Sequence, residues 1–243
     1  MGFWSSLGSA ISSGFSAVCS AVSSGLSAIG SAVSSFASAV STAIATTLEA
    51  LAPIAEAIGK FANALLQGLG IIKPDEDIED FGDRALQAAS EGITPDKYEN
   101  FEDYIEELRN FELDPEKSAK TPKTVKLTSG LAIATVGIEK KFDMEKGSLN
   151  GVWFLPMANP EYFTSDRVQG MLEAGRLGGS IFEYLENKLS AGDEVEFTEK
   201  LSAGLNQDEK KELYQELDTA RENHDNLAKD VELAMQNKEQ SGE

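Results

Sequence analysis

A mainly helical protein is what this chain predicts, and three observations carry the expectation. They are an uncharged eleven-residue repeat near the start, a second apolar run at helical spacing behind it, and a seam of large residues alternating by four and three near the end. In full, the predicted architecture is a long uncharged repeat helix and an amphipathic helix, then an acidic, mostly helical α+β domain with a small sheet and a long C-terminal helix. Residues 1–73 form the first module and residues 74–243 the second, with 206–238 as its coiled-coil-like helix.

The repeat runs through three near-copies, residues 9–19, 20–30 and 31–41, and no charged side chain precedes Glu49. Eleven residues at about 100° each make three turns plus about 20°, so the pattern keeps its phase along a helix with a slight right-handed drift. Large side chains fall on one line: Ile11, Phe15, Val18, Val22, Leu26 and Ile29, continued by Val33, Phe36, Val40 and Ile44. The alanines with Gly14 and Gly25 flank that line, Gly30 adds another small position, and most serines lie opposite. A helix from Gly8 to Ile44 would be roughly 55 Å long against a hydrocarbon layer of roughly 30 Å, so it cannot stand upright across one bilayer as a single rod. It lies flat, protrudes, or folds back at Gly25 or Gly30. Phe3 and Trp4 precede it as interfacial anchors.

After the repeat, Pro53 opens a second helix carrying Ile54, Ile58, Phe61, Leu65, Leu69 and Ile72, closed by Lys73-Pro74. Asp75 to Asp80 reads as an acidic linker and a domain boundary. Phe81 to Ala89 makes a short helix, and Thr94 with Pro95 announces another that carries Tyr98, Phe101, Ile105, Leu108 and Phe111. Val125, Leu127, Leu131, Ile133 and Val136 have strand character, and Asn150-Gly151 before Val152-Trp153-Phe154-Leu155 reads as a hairpin turn. These are the residues of the expected sheet, although Gly130 to Ile138 also fits a short buried helix. Helix resumes at Val168, Met171 and Leu172, Gly178-Gly179 is a turn, and Ile181, Phe182, Leu185 and Leu189 continue as helix to Ala191-Gly192. Asn206 and Glu209 have capping-box spacing. Behind them Leu213, Leu217, Ala220, His224, Leu227 and Val231 form the seam, which needs a partner helix from this domain or from another subunit.

The chemistry implied is not that of an enzyme. His224 is the single histidine and Cys19 the single cysteine, and no Cys-His cluster, nucleophile elbow, phosphate loop or dinucleotide fingerprint is present. Glu102, Asp103, Glu106 and Glu107 are dense enough to supply a carboxylate pair, but such density on a helix reads as a solvated face. No cofactor or metal is expected. The formal charge of −20 falls wholly on residues 74–243, because Glu49, Glu56, Lys60 and Lys73 cancel in the first module. An acidic body of this kind repels phosphate backbones, so no nucleic-acid partner is expected. The start Met1-Gly2-Phe3-Trp4-Ser5-Ser6 has no basic residue, so delivery without a cleavable signal peptide is the reading.

A long soluble helix normally carries charge on its wet face. One with a ridge of large apolar residues and a back of hydroxyls suits a bilayer, or sister helices packed through their small faces. The expected partners are thus a lipid bilayer and further copies of the chain. The Ala/Gly/Ser front with Gly14, Gly25 and Gly30 loosely resembles the glycine-zipper segments of pore-forming effectors that bacteria deliver into rivals by contact-dependent secretion. The resemblance covers about the first 70 residues and implies a secreted antibacterial toxin that depolarises a target membrane, with a chaperone or neutralising protein as a cognate partner. Two other readings stand beside it: a phage or viral virion component for envelope penetration or genome delivery, and a non-enzymatic helical scaffold.

Overall fold

The computed structural model describes the backbone of residues 48–94, 97–121, 123–145, 148–149 and 152–241, and the side chains of residues 56–226 within these, apart from 124, 128, 154, 157 and 182. The repeat of residues 9–41, and with it the expected N-terminal helix, lies outside the described residues. Among them are ten helices and no strand. In chain order these are α1 (Leu48–Gly68), α2 (Ile78–Ser90), α3 (Phe101–Asn110), α4 (Pro115–Lys120) and α5 (Lys123–Lys141). There follow α6 (Phe154–Ala158), α7 (Ser165–Glu173), α8 (Ile181–Leu185), α9 (Ala191–Leu201) and α10 (Gln207–Ser241).

The expected sheet is replaced by α5, the central helix of the body. Every described residue from Ser129 to Glu139 is buried, so the helix has no wet side to impose a 3.6-residue rhythm on its sequence. A fully covered helix and a fully covered strand then read alike over a short run, and β-branched Val125, Ile133, Val136 and Ile138 tip the reading toward strand. Val152 and Trp153 form a turn into α6 instead of a hairpin. Inside the core the polar groups of α5 are matched locally. Thr135 Oγ1 donates to Leu131 O at 2.8 Å and accepts from Trp153 Nε1 at 2.9 Å, while Glu139 Oε1 accepts from Leu149 N at 3.0 Å.

α2 lies against α5 so closely that the two backbones touch. A Cβ on Gly82 would sit 1.9 Å from Lys126 O, and one on Gly130 would sit 2.1 Å from Ile78 O. Glycine at both positions is what permits the crossing. α1 packs on α7, α5, α6 and α2, and α10 packs on α6 and α8. Left-handed glycines cap the ends of α1, α2 and α7, at Gly70, Gly92 and Gly175, each with the paired bonds that satisfy the last carbonyls.

Several boundaries differ from the expected ones. α1 stops at Gly68, before Lys73-Pro74, because Gly70 turns the chain there. α3 starts at Phe101 under an Asn100 cap, and the Thr94 carbonyl accepts from Lys97 N at 3.1 Å. α8 ends at Leu185, Asn187 adopts φ 54°, and Ser190 caps the separate helix α9. The capping box forms: Asn206 Oδ1 accepts from Asp208 N and Glu209 N at 3.0 Å each, and Asn206 N donates back to Glu209 Oε2 at 2.8 Å.

Candidate functional site

The candidate lipid face of Phe3, Trp4, Ile11, Phe15, Val18, Val22, Leu26, Ile29, Val33, Phe36, Val40 and Ile44, with Gly14, Gly25 and Gly30, lies outside the described residues. The structure describes what that segment runs into. α1 buries Ala62, Leu65 and Leu66 completely, and the turn behind it buries Leu69 and Ile72. All five join the same core as α2, α5 and α7. The division expected at residue 73 is therefore no break in packing, and the amphipathic helix grouped with the N-terminal module is a structural part of the body.

Residues 75–80, expected to be a linker, act as a clamp. Asp77 caps α2 by accepting from Glu79 N, and its second oxygen accepts from Asn63 Nδ2 of α1 at 2.6 Å. Asn63 Oδ1 in turn accepts from Ile78 N at 2.8 Å, so one α1 side chain holds the start of α2. Glu76 takes a forked bond from Arg109, with Nε at 2.7 Å and Nη2 at 3.1 Å, and Arg109 also donates to Ile71 O at 3.2 Å. Burial works against the Glu76 carboxylate, but the Arg109 guanidinium outweighs it and holds its pKa below the usual value. The acidity of this stretch is thus used to fasten α1 down.

Between the middle of α1 and α6 with the α6–α7 connection is an apolar slot of about 250 Å³, lined by Ala57, Ile58, Phe61, Pro156, Pro160 and Thr164. Phe61 meets Trp153 edge to face at a ring separation of 6.3 Å. This slot was not legible in the sequence, because its walls are about a hundred residues apart in the chain.

On the seam, Leu213, Leu217 and Ala220 are fully buried, and α10 rests on this chain's own α6 and α8. Asn223 Nδ2 donates to Ala158 O at 2.9 Å. Arg221 lies 3.9 Å above the Tyr184 ring and pairs with Glu194 at 2.6 Å. Burial pushes the Tyr184 hydroxyl up to about 12, against the opposing pull of Arg221. His224 is half-buried on the same side. Its pKa is lowered because burial disfavours the imidazolium, with Glu186 and Asp225 partly opposing the shift. The side chains of Leu227 and Val231 lie outside the described residues.

Elsewhere the polar clusters have structural partners. Asp83, almost wholly buried, pairs with Lys126 Nζ at 2.7 Å and accepts from Ser118 Oγ and from Gln87 Nε2 at 3.1 Å. Burial again opposes ionisation, and these three donors hold the pKa of Asp83 below its usual value. Lys126 Nζ also donates to Ser118 Oγ at 3.0 Å, so Asp83, Ser118 and Lys126 form one linked polar cluster. Glu102, Asp103, Glu106 and Glu107 are exposed on one face of α3, where Asp103 accepts from Asn100 and Glu106 pairs with Arg109. A wider cleft of about 480 Å³ opens where Met144, Ser148, Leu177, Gly179 and Lys200 meet; Gly178, at φ 135°, and Gly179, at φ 91°, turn the chain at its edge. Among the described residues no helix is long and apolar enough to cross a membrane, and no group of metal-ligating side chains assembles. Comparison with protein-family models, curated proteins and solved structures found no match.

Proposed function

We propose that this chain is a membrane-active protein in which residues 1–47 associate with and permeabilise a lipid bilayer, and the helical body from α1 onward carries and solubilises them. One contrast supports this reading. No charge precedes Glu49, whereas among the described residues of the body the large apolar side chains left exposed are only Val195 and Tyr214. A body of that surface has little with which to bind lipid, so the apolar interface has to come from the segment in front of it.

The ridge from Ile11 to Ile44 supplies the apolar contact, and the flank of Ala and Gly lets several copies pack side by side. Ten large residues gain only a few kcal/mol together on an insertion scale, and the serines offset part of that, so permeabilisation requires an oligomer. In this reading a neutralising protein protects the producer.

Release of a trapped dye from vesicles tests the reading. The full chain is expected to release it, and the triple substitution Val22→Asp, Leu26→Asp and Ile29→Asp to reduce release at least tenfold. Equal release by the two proteins would refute the assignment of the activity to this ridge.

A further inference from the structure

The body carries its charge unevenly. Between Glu116 and Glu139 the sequence holds no Asp or Glu, but it holds four lysines, Lys117, Lys120, Lys123 and Lys126. Lys126 is turned inward to the buried Asp83. The other three are exposed on α4 and at the first residue of α5; Lys120 has Glu116 at 3.9 Å, and among the described residues no ion pair engages Lys117 or Lys123. The packing fixes where this edge lies. Gly59 of α1 faces Leu127 of α5, whose methyl would lie 3.7 Å from an added Cβ, and Asn63 of α1 and Gly130 of α5 both meet Ile78. Successive turns of α1 and α5 are thus in step, and the two helices run the same way with their first turns at one end. Glu56, just before Gly59, is held below its usual pKa by Lys60 foremost and by Lys123 as well, which places Lys123 beside α1 there. Lys123 also acts on Glu79 of α2, whose carboxyl burial pushes up. Ser118 bonds both Asp83 and Lys126, which seats α4 at the same end. The three lysines therefore edge the end of the body that holds the first turns of α1.

We infer that Lys117, Lys120 and Lys123 form a docking edge for anionic lipid headgroups, one that turns this end of the body toward the bilayer. The inference rests on the membrane-active reading above. Charge complementarity selects the partner. A chain of formal charge −20 is repelled as a whole by a bilayer rich in anionic lipid, so its body approaches through a surface of the opposite sign. The edge is such a surface, and it lies at the α1 end, the end that continues in sequence into the uncharged segment. An acidic protein would meet the same charge, but would gain nothing from its being at that end. A lysine near an anionic surface raises partitioning about fivefold, so three raise it about a hundredfold at most, and the acidity of the remaining surface offsets part of that. The edge thus orients the body and leaves the hold on the bilayer to apolar contact.

Vesicle partitioning of the full chain tests this. Lys117→Gln, Lys120→Gln and Lys123→Gln together remove the edge without touching the buried core, and Lys141→Gln, Lys200→Gln and Lys211→Gln, all at exposed positions, remove the same charge elsewhere. Lys141 closes α5, about 27 Å of helix rise from Lys123. On vesicles of equal parts phosphatidylethanolamine and phosphatidylglycerol at low salt, the first triple is expected to lower partitioning at least tenfold and the second less than twofold. On phosphatidylcholine vesicles neither is expected to change it. Salt at about 1 M, which screens charges beyond about 3 Å, is expected to erase the difference between the triples. Equal losses from the two triples would overturn the edge while the membrane reading stands, as would no loss from the first, or an equal loss on phosphatidylcholine. Failure of the unmodified chain to bind either kind of vesicle would overturn both. Capture by polyglutamate that the first triple abolishes, with vesicle binding indifferent to it, would overturn the lipid assignment in favour of an acidic protein.

Discussion

At the scale of single residues, the glycines divide sharply by what surrounds them. Gly130→Ala would push a Cβ into the carbonyl of Ile78, and Gly82→Ala would do the same to Lys126, with backbone atoms that cannot turn aside. Each is expected to lower stability by about 3 kcal/mol or more, the upper end of overpacking costs, read from denaturant midpoints. Gly170 is the control: it lies inside α7 with nothing within 4 Å of an added Cβ, so Gly170→Ala is expected to raise stability by about 0.5–1 kcal/mol. Lys126→Met leaves the nearly dry Asp83 carboxylate without its cation and is expected to cost about 3–5 kcal/mol, well above the effect of removing an exposed pair such as Lys120–Glu116. His224 gives a pH dependence of definite sign. Its folded pKa is depressed, so the stability it contributes is present above the ordinary value of about 6.5 and is lost as pH falls below it. The difference in urea midpoint between pH 7 and pH 5 should therefore shrink in His224→Asn.

At the scale of elements, what could be read from the sequence followed solvent exposure. α2, α3, α7 and the start of α10 each have one wet and one dry side, so their rhythm survives in the sequence, and the Asn206–Glu209 capping box marks the start of α10. α5 is covered on every side from Ser129 to Glu139, and its rhythm vanishes with its wet face, so Leu131, Ile133 and Val136 pass for a strand. α4 and α9 were missed for the opposite reason: α4 has no buried residue, and α9 buries only Phe197 and Leu201, so there is almost no apolar pattern to find. Of the candidate site, the seam could be read because it is one helix face, while the ridge lies outside the described residues. The slot, the clamp around Arg109 and the glycine crossing could not, because each joins residues from distant parts of the chain. The clamp carries a consequence for truncation. Leu65→Ala or Leu66→Ala is expected to cost about 2–5 kcal/mol, and a fragment beginning at residue 74 is expected to lose its cooperative thermal transition, since it lacks five core residues of α1 and its turn.

At the scale of the whole molecule, the account rests on a division of solvent. The acidic body keeps its apolar residues inside, while the uncharged segment in front of it carries a ridge of large side chains and no charge to keep it wet. α1, which follows the uncharged segment in the chain, has Ala62, Leu65 and Leu66 in the core of the body. Flotation with vesicles tests this division most directly, using the full chain and the full chain bearing Val22→Asp, Leu26→Asp and Ile29→Asp. The unmodified protein is expected to rise with the lipid and the substituted one to stay behind with an unchanged thermal transition, the body being untouched. Flotation of both to the same extent would place lipid binding in the body and contradict the account.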